Sequence, residues 1–239
     1  MAKPAPRRVR VRMYQVGFGD CFLLSFEYGK PFADDEGVER DTRHVLVDFG
    51  STHGPKRRRK EGPKSVNAEQ VAAALKVDTG GRLDVLIATH RHADHVSAFG
   101  RDKTADVIES LRPGLIVQPW TEHPDAESDA LFPFGPEDRG FLDALGLGRS
   151  FAEQVASALQ GASSNSNAAR LRSLAELQFT NESAVRRLWS WADGKGRYVF
   201  AGEPSGIEDV VPGLEVTVLG PPTVNQWAEV AKQGNIKIR

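Results

Sequence analysis

Leu83-Asp84-Val85-Leu86-Ile87-Ala88-Thr89-His90-Arg91-His92-Ala93-Asp94-His95 is the stretch that decides the fold. Its first half, Leu83 to Thr89, is short and almost wholly apolar, as expected of a central strand covered on both faces. Its second half puts three imidazoles and a carboxylate within six residues, directly where that strand ends. Upstream, Asn67 is placed to cap a helix over Ala68 to Lys76. Val71, Ala74 and Leu75 form its apolar side, Glu69 suits its first turn and Gly80-Gly81 follow its end. Before that helix, His44-Val45-Leu46-Val47-Asp48-Phe49 reads as another strand, closed by Gly50. Strand, helix, strand in this order is a βαβ unit, with parallel strands and a right-handed crossover. In open parallel sheets, chemistry collects at the carboxyl ends of the strands, and both Asp48-Phe49-Gly50 and Thr89-His90 lie there.

Further out, Val9 to Met13 alternates with arginines and predicts a strand with one solvated face. Gly17-Phe18-Gly19-Asp20 is a turn, and Cys21 to Phe26 a second strand, together an antiparallel hairpin. Residues 30–43 are polar, lack periodicity and read as a loop. Asp102 to Leu111 reads as a helix and Leu115-Ile116-Val117 as a fourth strand. Residues 119–140 are rich in proline and irregular. Helices follow over 138–160, 166–176 and 181–192, with a break at Gly161 to Asn167. Tyr198-Val199-Phe200 and Leu214 to Leu219 are further strands, the last stopped by Gly220-Pro221-Pro222.

The bulk composition frames these elements. The chain has 239 residues, 40 % of them hydrophobic and 26 % charged, with a net charge of −1. That describes a globular protein and excludes a wholly disordered one. A single domain of this size buries roughly 70–75 % of its unfolded surface and needs no disulfide staple. Cys21 is the one cysteine, so no intrachain disulfide forms, and its apolar setting reads as an inert thiol. No apolar stretch is long enough to cross a bilayer, and Met1 to Pro6 lacks a signal core, so a cytoplasmic protein is expected. Near-zero net charge gives no global pull toward nucleic acid. Lys56-Arg57-Arg58-Arg59-Lys60 is a local basic run, read as a solvated loop or as a phosphate contact. Trp189, Trp191 and Trp227 read as core and rim rather than as a platform for stacked bases.

His90, His92, Asp94 and His95 are the chemical core of the sequence. In extended chain, alternate residues point the same way, so His90 and His92 converge on one metal ion. Asp94 and His95 come a turn later, where the chain re-enters a helix, and reach a second ion. Neutral imidazole and carboxylate suit Zn²⁺, with iron and manganese as alternatives. A structural zinc site would be richer in cysteine. Such an ion lowers the pKa of a bound water from about 16 toward about 7, giving hydroxide at neutral pH.

Thr89-His90-Arg91-His92-Ala93-Asp94-His95 resembles the T-H-x-H-x-D-H signature of the metallo-β-lactamase superfamily. Val16-Gly17-Phe18-Gly19-Asp20-Cys21-Phe22-Leu23-Leu24 is similar to the V-G-x-G-D-x-x-L-I opening of the branch that includes hydrolase domains of bacterial DNA-uptake channels. Val45-Leu46-Val47-Asp48-Phe49-Gly50 resembles that family's strand ending in D-x-G. The likeness is specific over about residues 9–120. It implies an α/β fold of the four-layer αββα sandwich type, with mixed sheets, and metal-dependent hydrolysis by a metal-bound hydroxide. It implies His90 and His92 on the first ion, Asp94 and His95 on the second, and Asp94 as the catalytic group that holds or deprotonates the attacking water. Asp48 then supports the ligands from behind, and Thr89 braces the loop through its hydroxyl. Asp20 is read as a turn residue, not a ligand.

The family's further ligands, a bridging aspartate after a G-D strand end and more histidines, have no clear counterpart after residue 96. Gly202-Glu203 and His123 are weak stand-ins. The chain is therefore expected to be one domain over 1–239 that is C-terminally incomplete. Residues 9–120 form its motif-bearing half, and 121–239 a helical insertion and the start of the second half. Small molecules, nucleotides or nucleic acids are the expected substrates, as phosphodiesters or other esters or amides, with no membrane. A truncated or degenerate binding protein and a diiron redox protein remain as alternatives.

Overall fold

The computed structural model describes residues 4–34, 36–52, 67–123 and 181–223, with isolated positions between 147 and 171 and Gln226. Six strands form one mixed sheet in sequence order: β1 (Arg8–Met13), β2 (Phe22–Ala33), β3 (Glu39–Val47), β4 (Val85–Ile87), β5 (Leu115–Pro119) and β6 (Gly196–Val199). β1, β2 and β3 pair antiparallel, whereas β3, β4, β5 and β6 run parallel. The expected βαβ unit is thus present as β3, the helix α1 (Ala68–Asp78) and β4. Asn67 caps α1 as expected: its side chain accepts from the Gln70 N–H at 2.8 Å. Gln70 Oε1 accepts from the Asn67 N–H in return, a reciprocal box that leaves neither donor orphaned.

Parallel strands need crossovers, and each supplies a helix to the same face of the sheet. Val71 and Leu75 of α1, Ala105 and Ile108 of α3 (Asp102–Ser110), and Leu188 and Trp191 of α4 (Glu182–Ala192) share one core with Leu23, Leu46, Leu86 and Ile116. Trp191 packs edge-on to Phe99, with ring centroids 6.1 Å apart. It is a core residue, as its sequence setting suggests. Cys21 is fully buried in the same core, and burial pushes its thiol pKa up, in keeping with an inert side chain.

The opposite face carries Phe26, Tyr28, Val45, Val85, Leu115, Val117 and Val199. Ile207 and Val210 of α5 (Ile207–Val210), with Val211, Leu214, Val216 and Val218, cover part of it, and Tyr28 Oη donates to the Pro212 carbonyl at 2.8 Å. The register puts Val9 opposite Phe26 and Val11 opposite Leu24, so β1 extends this face. Its valines are exposed, Val11 by 61 %. Among the described residues there is one sheet and no helix long and apolar enough to cross a membrane.

Two sequence expectations are corrected. Residues 30–43 are not a loop: β2 runs to Ala33 and β3 begins at Glu39. The polar half of this hairpin holds because its charges are paired. Arg40 bonds Asp84 and Asp34, and Arg43, only 1 % exposed, lies 3.6 Å from Asp84 and 4.1 Å above the Phe32 ring. Leu214 to Leu219 is extended with alternate residues packed inward, yet it forms no strand. Its Val218 carbonyl accepts from the Gly202 N–H at 2.9 Å, a turn contact rather than a ladder, and the Val216 N–H is taken by the Glu208 carboxylate at 3.2 Å. The helix expected over 181–192 is present as α4. The basic run 56–60 and Trp227 lie outside the described residues, as do most of the helices expected over 138–160 and 166–176.

Candidate metal centre

The site forms where β3 and β4 end side by side. Beyond Ile87, Ala88 stays tied to β5 through its N–H to the Val117 carbonyl at 3.0 Å, and the chain then leaves the sheet as the histidine loop. The loop closes into a four-residue helix, α2 (Ala93–Val96), opened by the His92 carbonyl, which accepts from the His95 and Val96 N–H groups. Beside it, β3 ends at Val47 and is followed by Asp48, which has φ 55°. That left-handed conformation is uncommon for a residue with a Cβ and is tolerated best by Asp and Asn. It turns the Asp48 carboxylate across onto the loop.

Two glycines let the chain segments meet. Gly50 lies so close to α2 that an added Cβ would stand 2.5 Å from the Ala93 carbonyl oxygen, the Asp94 carbonyl carbon and the His95 nitrogen. At Gly19 it would stand 2.6 Å from the Asp94 carbonyl oxygen. Backbone bonds seal the contact: Asp20 N–H to the Asp94 carbonyl (2.9 Å), Gly50 N–H to the Asp20 carbonyl (3.0 Å) and Phe49 N–H to the His95 carbonyl (2.7 Å). The three sequence motifs are thus one packed unit.

Asp48 organises the side chains. Its carboxylate accepts from the Thr89 N–H at 2.8 Å, the Thr89 hydroxyl at 2.6 Å and His95 Nδ1 at 2.8 Å. A carboxylate has no proton to give, so His95 carries a proton on Nδ1, and of its two neutral tautomers Asp48 selects the one with the lone pair on Nε2. The Thr89 hydroxyl spends its one proton on Asp48, so its oxygen accepts from His90 Nδ1, 3.1 Å away. His90 therefore also keeps its Nε2 lone pair. One buried carboxylate sets the tautomer of two imidazoles, as carboxylates behind metal-bound histidines commonly do.

The rings themselves are close. His90 and His95 have centroids 3.9 Å apart, and His90 and His92 4.7 Å. An Asp94 carboxylate oxygen lies 3.6 Å from His95 Nε2. Burial, then the neighbouring His95 and His92, lower the pKa of His90, which favours the neutral imidazole that a metal needs. The structure thus sets the His90 ring beside those of His92 and His95 and the Asp94 carboxylate beside His95, with Asp48 and Thr89 behind His90 and His95.

Asp20 comes nearer than its turn position suggests, 3.5 Å from His95 Nδ1. Asp20, Asp48 and His95 bring potential ligand atoms within 4.8 Å of one another, a group that could hold a metal ion. That group lies on the Nδ1 side of His95, where the nitrogen is already engaged by Asp48. On the Nε2 side, His90 and His95 present the ring nitrogens that Thr89 and Asp48 leave unengaged, next to the His92 ring and the Asp94 carboxylate, and imidazole with carboxylate is the donor chemistry of a transition metal. His123 packs edge-on against Tyr198, with centroids 4.4 Å apart, and Glu203 closes the turn after β6, its N–H donating to the Phe200 carbonyl at 3.0 Å.

Asp48→Asn isolates the tautomer effect, since Asn keeps the left-handed backbone. An amide NH₂ facing His95 Nδ1 drives that ring's proton to Nε2. Zinc affinity, measured by chelator competition, is expected to fall about 10- to 100-fold with little change in melting temperature. Unchanged affinity would show that Asp48 is only a strand-end turn residue.

No curated protein and no solved structure matches the chain. Residues 38–155, which include β3, α1, β4 and the whole histidine loop, match the family model of the metallo-beta-lactamase superfamily.

Proposed function

We propose that the chain is a metal-dependent hydrolase of the metallo-β-lactamase superfamily, with His90 and His92 on one divalent ion and Asp94 and His95 on a second. The observation that carries this is the Asp48 carboxylate fixing the tautomers of both His90 and His95 so that their Nε2 lone pairs are free. Zn²⁺ is the first choice for such donors, with iron or manganese as alternatives. When bound, the ion supplies Lewis acidity and brings water ionisation near neutral pH. Asp94, half-buried beside His95, is the group placed to hold the attacking water and take its proton.

The substrate in this proposal is a phosphodiester, of a nucleotide or nucleic acid, or another ester or amide. The basic run 56–60 supports the phosphodiester. A β-lactam is not implied, because one fold hosts many chemistries. The fuller fold is a four-layer αββα sandwich in one domain. The second apolar sheet face, exposed at Val9, Val11 and Met13, supports a further layer there. A cytoplasmic setting accords with the lone free thiol.

A second reading is a binding protein on the same fold without turnover. The pairing of His123 with Tyr198 favours it, since that is the one histidine downstream of the loop. Metal analysis joined to an assay separates the two. The hydrolase should purify with close to two metal ions per chain, cleave bis-p-nitrophenyl phosphate or a p-nitrophenyl ester, and lose that activity on chelation. Two bound ions with no turnover of either probe, or no bound ion at all, contradicts the hydrolase and favours the binding protein.

A further inference from the structure

We infer that Arg91 is a positioning residue for His92, acting through Glu122, an inference that rests on the metal-centre reading above. The Asp48 network reaches His90 and His95, but among the described residues no hydrogen bond of that network reaches the His92 ring. His92 must be aimed by its backbone, and the backbone beside it is held at Arg91.

Arg91 is gripped at two points by elements outside the loop. Its Nε and Nη2 both lie 2.5 Å from Glu122 Oε2, in the 3₁₀ turn Trp120–Glu122 that follows β5. Its carbonyl accepts from Asn181 Nδ2 at 3.0 Å, at the start of α4. Glu122 is 7 % exposed and is itself anchored, its carbonyl accepting the Trp189 indole N–H at 2.7 Å. The residue between two candidate ligands is thus pinned by side chain and by carbonyl to two neighbouring elements. Such a clamp sets the angle at which the flanking imidazoles leave the chain. Ordering them before metal arrives removes a conformational cost from binding.

A plain structural ion pair would show itself differently. Removing Arg91 alone leaves a buried, uncompensated carboxylate, which destabilises any fold. The test therefore uses Arg91→Met, Glu122→Gln and the double variant, which leaves no unpaired charge, together with Arg91→Lys. Melting temperature, zinc affinity by chelator competition, and the visible spectrum of the cobalt(II)-loaded protein are read for each. Arg91→Met should lose stability and about 10- to 100-fold in zinc affinity, with altered cobalt bands. The double variant should regain melting temperature but not affinity or the parent spectrum. Arg91→Lys, which keeps the charge but not the planar fork, should fall between parent and Arg91→Met. The inference is overturned if the double variant binds zinc as tightly as the parent with the parent's cobalt spectrum, while the parent does bind metal. A parent that takes up neither zinc nor cobalt overturns the metal-centre reading, and this inference with it.

Discussion

His92→Ala is expected to cost the protein about two to three orders of magnitude in affinity for one of its two metal ions. Apparent binding free energies of about 10–16 kcal/mol for a four-ligand zinc site give about 2.5–4 kcal/mol per ligand, and 1.4 kcal/mol is tenfold. The loss should be confined to the metal, because the His92 ring is half-buried and contacts His90 rather than the core. Melting temperature without metal should hardly move. Zinc stoichiometry after dialysis should fall toward one ion per chain, and any hydrolysis of bis-p-nitrophenyl phosphate should fall with it. Full occupancy by two tightly held ions in His92→Ala would remove this residue from the ligand set.

The second large effect is expected from Gly50→Ala, which reaches the site from outside the histidines. The added methyl would meet three backbone atoms of Ala93, Asp94 and His95, all at 2.5 Å. Backbone of a hydrogen-bonded turn cannot swing aside as a long side chain can, so α2 or the end of β3 must retreat. The bonds at risk are Phe49 N–H to the His95 carbonyl and Ala98 N–H to the Phe49 carbonyl, which hold the loop against β3. Overpacking of this kind costs about 1–3 kcal/mol, and an all-backbone clash should fall at the upper end. Urea unfolding should show the loss of stability, and chelator competition a loss of zinc affinity, although no ligand has been changed. A variant with parental stability and affinity would show that the two motifs do not pack as described.

Much of this architecture is legible locally. Leu83 to Thr89 announces a buried strand because no charge interrupts it beyond Asp84. α1 is legible from its apolar spacing and Asn67, although Gln70 as the returning half of the cap needs the structure. The four candidate ligands are legible because they are contiguous, and Asp48 because it stands at the end of a strand parallel to theirs. What fails to show is long-range pairing. Residues 30–43 look too charged for a hairpin until Arg40 and Arg43 meet Asp84, more than forty residues away. Leu214 to Leu219 has strand composition, but a strand is defined by a neighbour, and composition does not supply one. The same holds at the site. Arg91 sits inside the motif as an unspecified residue, and only packing shows it joined to Glu122 and Asn181. Asp20 likewise reaches His95 only because Gly19 and Gly50 allow the segments to touch.

The most direct measurement is an anomalous-difference map at the zinc absorption edge from crystals of the zinc-loaded protein. Peaks are predicted on the Nε2 side of His95, ringed by His90, His92, Asp94 and His95, with Asp48 behind the imidazoles and touching no ion. A peak held instead by Asp20, Asp48 and the Nδ1 of His95, or no peak near these residues, would contradict the proposed centre.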